Sequence, residues 1–137
     1  MWMKILLACL VSLGINLAHA DQCSMGALTD SQMRLDNYYH SQAATAFNVS
    51  CSRAYSIRFS SMNLRNREGE SYLSNGPYKV ATRMTINGPV ENLWNVPLSV
   101  NARGKNKYII SVHLEQQPTT RFPAGTYRDV IYVNLSF

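Results

Sequence analysis

Residues 123–137, Pro-Ala-Gly-Thr-Tyr-Arg-Asp-Val-Ile-Tyr-Val-Asn-Leu-Ser-Phe, constrain the fold more than any other stretch. Pro123-Ala124-Gly125 is turn chemistry. After it Tyr127, Ile131, Val133, Leu135 and Phe137 fall on one face of a period-two pattern, with Arg128, Asn134 and Ser136 on the other. Because successive side chains of a strand point to opposite faces, this pattern predicts a half-buried strand. The strand runs to the last residue, so the expectation is that no following chain covers its next edge. An apolar strand with an unpaired edge is a hazard for a monomer and a docking point in an assembly.

The rest of the chain has the same character. Phe47, Val49 and Cys51 alternate within Thr45–Cys51, and Tyr55, Ile57 and Phe59 continue the alternation with Ser56, Arg58 and Ser60 outward. Read as helix, the same residues would scatter their apolar side chains around the axis. Between Asp21 and Ala46 the pattern is irregular, with one short strand expected at Met33, Leu35 and Tyr39. Asn63 to Pro77 reads as an exposed loop around a short strand at Tyr72-Leu73, and Tyr78 to Ile86 as a strand ending at Asn87-Gly88-Pro89. Residues 97–102 and Tyr108–Leu114 are expected to pair as a hairpin, with Ile110, Val112 and Leu114 inward and His113 outward. Short strands separated by Gly, Pro and Asn turns, with no convincing helix, predict an all-β Greek-key sandwich.

Residues 1–20 read as a secretory signal. Lys4 supplies the positive end, an apolar run follows, and Ala18-His19-Ala20 is a small-x-small cleavage site. Residues 21–137 then form one domain, with no further apolar run long enough to span a bilayer. Export makes the cysteines informative. Cys9 leaves with the signal, so Cys23 and Cys51 are the one intramolecular pair, and an oxidising compartment favours a structural disulfide between them. It closes a loop of about 29 residues and contributes about 3 to 4 kcal/mol in the chain-entropy description. A redox-active pair would need close C-x-x-C spacing, which is absent.

The chain carries 13 Lys and Arg against 8 Asp and Glu, and the basic residues are scattered. The one cluster, Arg103-Gly104-Lys105-Asn106-Lys107, reads as a solvated hairpin tip, with contact to an anionic surface as the functional alternative. Trp94 reads as core or as a cap on the end of the sandwich. Together with Arg103, Lys105 and Lys107 it is also the candidate for surface-ligand contact. No nucleic-acid-binding module is recognisable.

Catalytic patterns are thin. Of the three histidines, His40 and His113 lie beyond the signal, and neither has metal-ligand spacing to another donor, so no metal and no cofactor are expected. There is no Gly-x-Ser-x-Gly elbow and no Gly-rich phosphate loop. A nuclease using His40, His113 and Lys105 can be assembled as an acid–base arrangement, and paired carboxylates for glycoside hydrolysis stay open although none of the eight acids precedes a recognisable motif. A small secreted hydrolase ranks last, and the chain is expected not to be an enzyme. The Asn48-Val49-Ser50 and Asn134-Leu135-Ser136 sequons lie within predicted strands and read as chance matches.

Taken together, Cys23, Leu35-Asp36-Asn37-Tyr38, Phe47-Asn48-Val49-Ser50-Cys51, Tyr55-Ser56-Ile57-Arg58-Phe59 and Ala124-Gly125-Thr126-Tyr127-Arg128-Asp129 resemble the spore coat protein U domain, the unit of subunits from archaic chaperone–usher pili. The resemblance covers most of residues 21–137 and is most specific at the Gly-Thr-Tyr-x-Asp turn. It implies an incomplete immunoglobulin-like sandwich lacking its final strand, completed by a periplasmic chaperone and then, at the outer-membrane usher, by the N-terminal extension of a neighbouring pilin subunit. Ile131, Val133, Leu135 and Phe137 would line the accepting edge. Gly125 would permit the turn, and Tyr127 would anchor the corner through its hydroxyl or serve as ordinary core beside Asp129. Family members that extend a fibre carry an alternating donor segment before the first cysteine, whereas here only Asp21-Gln22 would follow the signal. The expectation is a minor or tip subunit, carried through the periplasm to a surface pilus and used in attachment and biofilm formation. The alternative from another class is a free-standing secreted binding domain recognising a glycan or surface.

Overall fold

A computed structural model describes residues 23–101 and 104–137. The expected signal segment and Arg103 lie outside the described residues. Among the described residues there are eight strands: β1 (Cys23–Met25), β2 (Gln42–Cys51), β3 (Tyr55–Ser61), β4 (Glu70–Asn75), β5 (Tyr78–Asn87), β6 (Leu98–Val100), β7 (Gly104–Leu114) and β8 (Ile131–Ser136). They form a five-stranded sheet, β1-β2-β7-β5-β4, and a three-stranded sheet, β6-β3-β8. Every pairing between these strands is antiparallel. The chain crosses between sheets after β2, β3, β5, β6 and β7, so non-consecutive strands become neighbours. The architecture is all-β and immunoglobulin-like.

The core follows from the alternation. Phe47, Val49 and Cys51 of β2, Tyr55, Ile57 and Phe59 of β3, and Tyr108, Ile110, Val112 and Leu114 of β7 are buried. Phe47 and Tyr108 lie directly opposite one another in the ladder and stack at 5.4 Å between ring centres. Phe59 reaches across from the other sheet to both rings, and Trp94 meets Phe59 edge-on at 5.9 Å. Offset and edge-on contacts of this kind add to the burial of the rings themselves. The Tyr108 hydroxyl lies 2.6 Å from that of Tyr55, and Asn106 donates to the same Tyr55 oxygen. The disulfide joins Cys23 to Cys51, residues directly opposed in the β1–β2 ladder.

Several expectations are corrected. Residues 97–102 do not form a hairpin with β7: β6 pairs with β3, and β7 is gripped by β2 and β5 in the other sheet. The reason is the reach of β2, which offers paired positions back to Cys51. Its ladder draws β7 out to Gly104, so Lys105 and Lys107 are strand residues opposite Ser50 and Asn48. Met33 and Leu35 belong to no strand; they are half-buried and pack on the core from irregular chain, while Tyr39 is exposed. Tyr78 has inward parity on β5, yet it is exposed at the tip of the β4–β5 hairpin.

Gly69 is a position where backbone freedom is required. It has φ 91°, and a Cβ there would overlap the Met84 carbonyl oxygen and lie 3.0 Å from Trp94 Nε1.

Candidate functional site

β8 is bonded along one side only. Its ladder to β3 runs from Ser61↔Ile131 to Ser56↔Ser136, and among the described residues no strand lies along its other side. Ile131, Val133 and Leu135 point inward and pack on the core, but each stays only half-buried. The neighbouring β3 residues Ile57 and Phe59 are both 0% exposed. The contrast across one ladder locates a gap: the core is sealed under β3 and open beside β8. Phe137, expected on the inward face, lies past the end of β8 and is 56% exposed.

The far edge of the larger sheet is built differently. The outer side of β4 faces a cap made of loop and turn. Arg65 N–H donates to the Glu70 carbonyl, and Ser74 and Arg128 exchange N–H···O bonds of 2.9 and 3.1 Å. Asn63 Nδ2 donates to the carbonyls of Tyr72 and Arg128, and Asn66 Oδ1 accepts from Glu70 N–H. An edge satisfied in this way is closed to further pairing. The fold therefore caps β4 and leaves β8 available.

The turn that launches β8 is held from three sides. Asp129 Oδ1 accepts from Asn63 N–H at 2.9 Å and from Val130 N–H at 2.8 Å, and Oδ2 accepts from Ser71 Oγ at 2.6 Å. These charge-assisted bonds join the end of β3, the inner face of β4 and the first residues before β8. Met62 N–H then donates to the Val130 carbonyl, extending the β3–β8 register by one position. Tyr127 donates its hydroxyl to the Pro123 carbonyl at 2.8 Å, and its half-buried ring meets Phe122 edge-on. This bond spans four residues within the turn and is exposed, unlike the buried hydroxyl bond expected of an anchoring tyrosine. A Cβ on Gly125, φ 150°, would lie 2.7 Å from Asn75 Nδ2.

The other predicted contacts do not assemble. Trp94 is fully buried, so it is no surface contact: the loop between β5 and β6 folds it over the core, with its backbone N–H bonded to the Arg67 carbonyl and Asn95 N–H to that of Phe59. Its Nε1 has no hydrogen-bond partner among the described residues. Lys105 and Lys107 are exposed at the start of β7.

His40 and His113 do come together, with ring centres 6.4 Å apart, and His40 stacks on Tyr39. Sequence alone offers no signal for pairing residues so far apart. Lys105, however, lies eight positions along β7 from His113, about 26 Å at strand rise, so the acid–base trio is not formed. Instead His113 Nε2 sits 3.7 Å from Glu115 Oε1, and Glu115 binds Arg83, which also binds Glu70. The Arg83 hydrogen bond holds the Glu115 carboxyl below its ordinary range against the opposing effect of burial, with His113 and His40 adding to the depression. Among the described residues no three His, Cys, Asp or Glu side chains are grouped to hold a metal, and no helix is long and apolar enough to cross a membrane.

No protein-family model matches the chain, and no curated protein matches it in sequence. Its likeness is to solved structures. A chain of the CsuC–CsuE chaperone–tip adhesion subunit pre-assembly complex, from the archaic chaperone–usher Csu pili of Acinetobacter baumannii, aligns over 85% of this chain and 40% of its own length, with 13% identity and a TM-score of 0.50. A chain from the chaperone–tip adhesin complex of CFA/I fimbriae aligns over 84% and 41%, with 12% identity and a TM-score of 0.56. The P pilus rod subunit PapA aligns over 86% and 92%, with 11% identity and a TM-score of 0.50. The chain thus spans about two-fifths of the length of the first two and nearly all of the third. At these identities the likeness establishes the fold, that of chaperone–usher pilus proteins.

Proposed function

We propose that this protein is a structural, non-catalytic subunit of a chaperone–usher pilus, completed by a strand that a partner adds along β8. The observation that carries the reading is the combination of an unpaired β8 edge with Ile131, Val133 and Leu135 left half-buried over the core. An added strand would satisfy the free backbone groups and cover those side chains in one step. The β4 edge is capped by Asn63, Arg65, Asn66 and Arg128, and the edge strands β1 and β6 are three residues long, so β8 is the edge suited to the purpose. Asp129 and its partners position the start of the accepting strand.

In this reading residues 1–20 direct export and residues 21–137 are the pilin domain. A periplasmic chaperone supplies the first added strand, the usher exchanges it, and a neighbouring subunit supplies the last. The finer assignment is an archaic pilus, with this subunit at the tip or in a minor position serving attachment and biofilm formation. The tip assignment is supported by two of the structural neighbours, which come from complexes of chaperones with tip subunits.

Co-expression with the chaperone of the same pilus system tests the proposal. The wild type is expected to co-purify as a one-to-one complex, and the variant with Ile131, Val133 and Leu135 replaced by Asp is not. Both proteins emerging as soluble monomers without the chaperone would sink the reading and favour a self-contained binding domain. Labelling that decorates the whole pilus shaft at regular intervals would overturn the tip assignment alone.

A further inference from the structure

We infer that the outer face of the β4–β5 hairpin is a binding site for an acidic saccharide, a hexuronate unit. A hollow of about 320 Å³ opens there, with Arg65, Glu70, Ala81, Arg83 and Glu115 among its lining residues. Ala81 lies opposite Tyr72 in the ladder, one outward position from Arg83, and its short side chain leaves space between larger neighbours. The volume is in the range of small-molecule sites.

The charges in this hollow are arranged unevenly. Arg83 is already matched, its Nε donating to Glu115 Oε1 at 2.6 Å and its Nη2 to Glu70 Oε1 at 2.8 Å. Arg65 and Lys79 have no carboxylate partner among the described residues. Both are held over Tyr72, with Arg65 Cζ 4.9 Å and Lys79 Nζ 4.8 Å from the ring centre. An aromatic ring attracts a cation without neutralising it. Arg65, which lines the hollow, therefore keeps uncompensated positive charge, with Lys79 on the same ring outside the lining, while Glu115 Oε2 has no donor among the described residues.

This pairing selects a chemistry. A bare phosphate or sulfate would meet the cations but be repelled by Glu70 and Glu115. A neutral sugar would leave Arg65 unmatched. A hexuronate offers a carboxylate to Arg65 and hydroxyl donors to the glutamates, and Arg, a planar donor fork, suits a carboxylate. None of these residues belongs to β8, so the inference stands or falls separately from the pilus reading.

Calorimetric titration with trigalacturonate of the protein co-purified with its chaperone, or of the free protein where it is soluble without one, tests it, with maltotriose, inorganic phosphate and phosphatidylglycerol vesicles as competitors of other chemistry. Trigalacturonate is expected to bind. Arg65→Gln should weaken it about tenfold, the loss of one hydrogen bond to a charged group. Glu115→Gln should also weaken it, and Arg58→Gln, on the outer face of the smaller sheet, should leave it unchanged. No binding of trigalacturonate, equal binding of maltotriose, phosphate or vesicles, or equal weakening by Arg58→Gln would each overturn the assignment.

Discussion

Ser71 Oγ donates a 2.6 Å hydrogen bond to Asp129 Oδ2, tying the inner face of β4 to the residue that launches β8. Ser71 is 1% exposed, so its hydroxyl cannot turn to water if the carboxylate is removed and keeps only the longer 3.2 Å contact with Ser61 Oγ. Asp129→Ala would also strand the Asn63 N–H, whose partner is Asp129 Oδ1. A loss of about 1 to 3 kcal/mol is expected, measured as a lower urea midpoint at unchanged slope. Asp129→Asn, which keeps an acceptor oxygen, should lose less. Equal stability of all three proteins would show that the latch contributes nothing.

Gly69 should tolerate no side chain. With φ 91° and the Met84 carbonyl oxygen in the space a Cβ would need, Gly69→Ala combines backbone strain with a steric clash. The expected cost is about 2 to 4 kcal/mol. Because Trp94 Nε1 also lies against this site, its fluorescence should shift in the native baseline. Gly76, φ 59°, has no atom within 4 Å of the place a methyl group would occupy and serves as the comparison. Gly76→Ala should cost only the backbone share, about 1 kcal/mol.

Acid should weaken the larger sheet through Glu115. The folded protein holds this carboxyl below its ordinary range, chiefly through the Arg83 hydrogen bond. A depressed carboxylate contributes stability that is present above its unfolded value, about pH 4.3, and is lost as pH falls through the folded value. Urea midpoints should therefore drop below about pH 4, and Arg83→Met should make that drop shallower. An acid limb identical in the two proteins would remove Glu115 from the account.

Alkali should act through Tyr108. Burial, then the hydrogen bond to Tyr55, pushes this phenol far above its ordinary range. A raised folded value means the stabilisation is complete below the unfolded value, about pH 10, and is lost as pH rises beyond it toward the folded value. Tyr108→Phe should be less stable near neutrality by about 1 kcal/mol yet lose less stability between about pH 9 and pH 11. Parallel curves would contradict this.

How much of the fold is legible in the sequence depends on what each pattern encodes. Period-two alternation marks which face of a strand is buried, and it identifies Phe47, Val49 and Cys51 of β2, Tyr55, Ile57 and Phe59 of β3, and Ile110, Val112 and Leu114 of β7. It carries no information about the partner strand. Residues 97–102 and β7 are adjacent in sequence and each strand-like, so a hairpin is the natural expectation. The ladders instead place β6 on β3 and β7 between β2 and β5. β1 is three residues long, too short for any periodicity, and is held by its disulfide and by pairing to β2. Trp94 shows the same boundary: its apolar character is plain, while its complete burial depends on a loop folding over Phe59.

By itself the sequence determined a β-structured chain with one cysteine pair and a terminal apolar strand, because alternation, turn residues and cysteine arithmetic are local or countable properties. Only the tertiary structure decided that β8 stands at an open edge while β4 is capped. It alone joined Ser71 to Asp129 and His40 to His113, and it assembled the charged hollow over Ala81. Each of these depends on backbone hydrogen bonds between residues far apart in the chain, and such partners are chosen when the whole set of strands satisfies its donors and acceptors together.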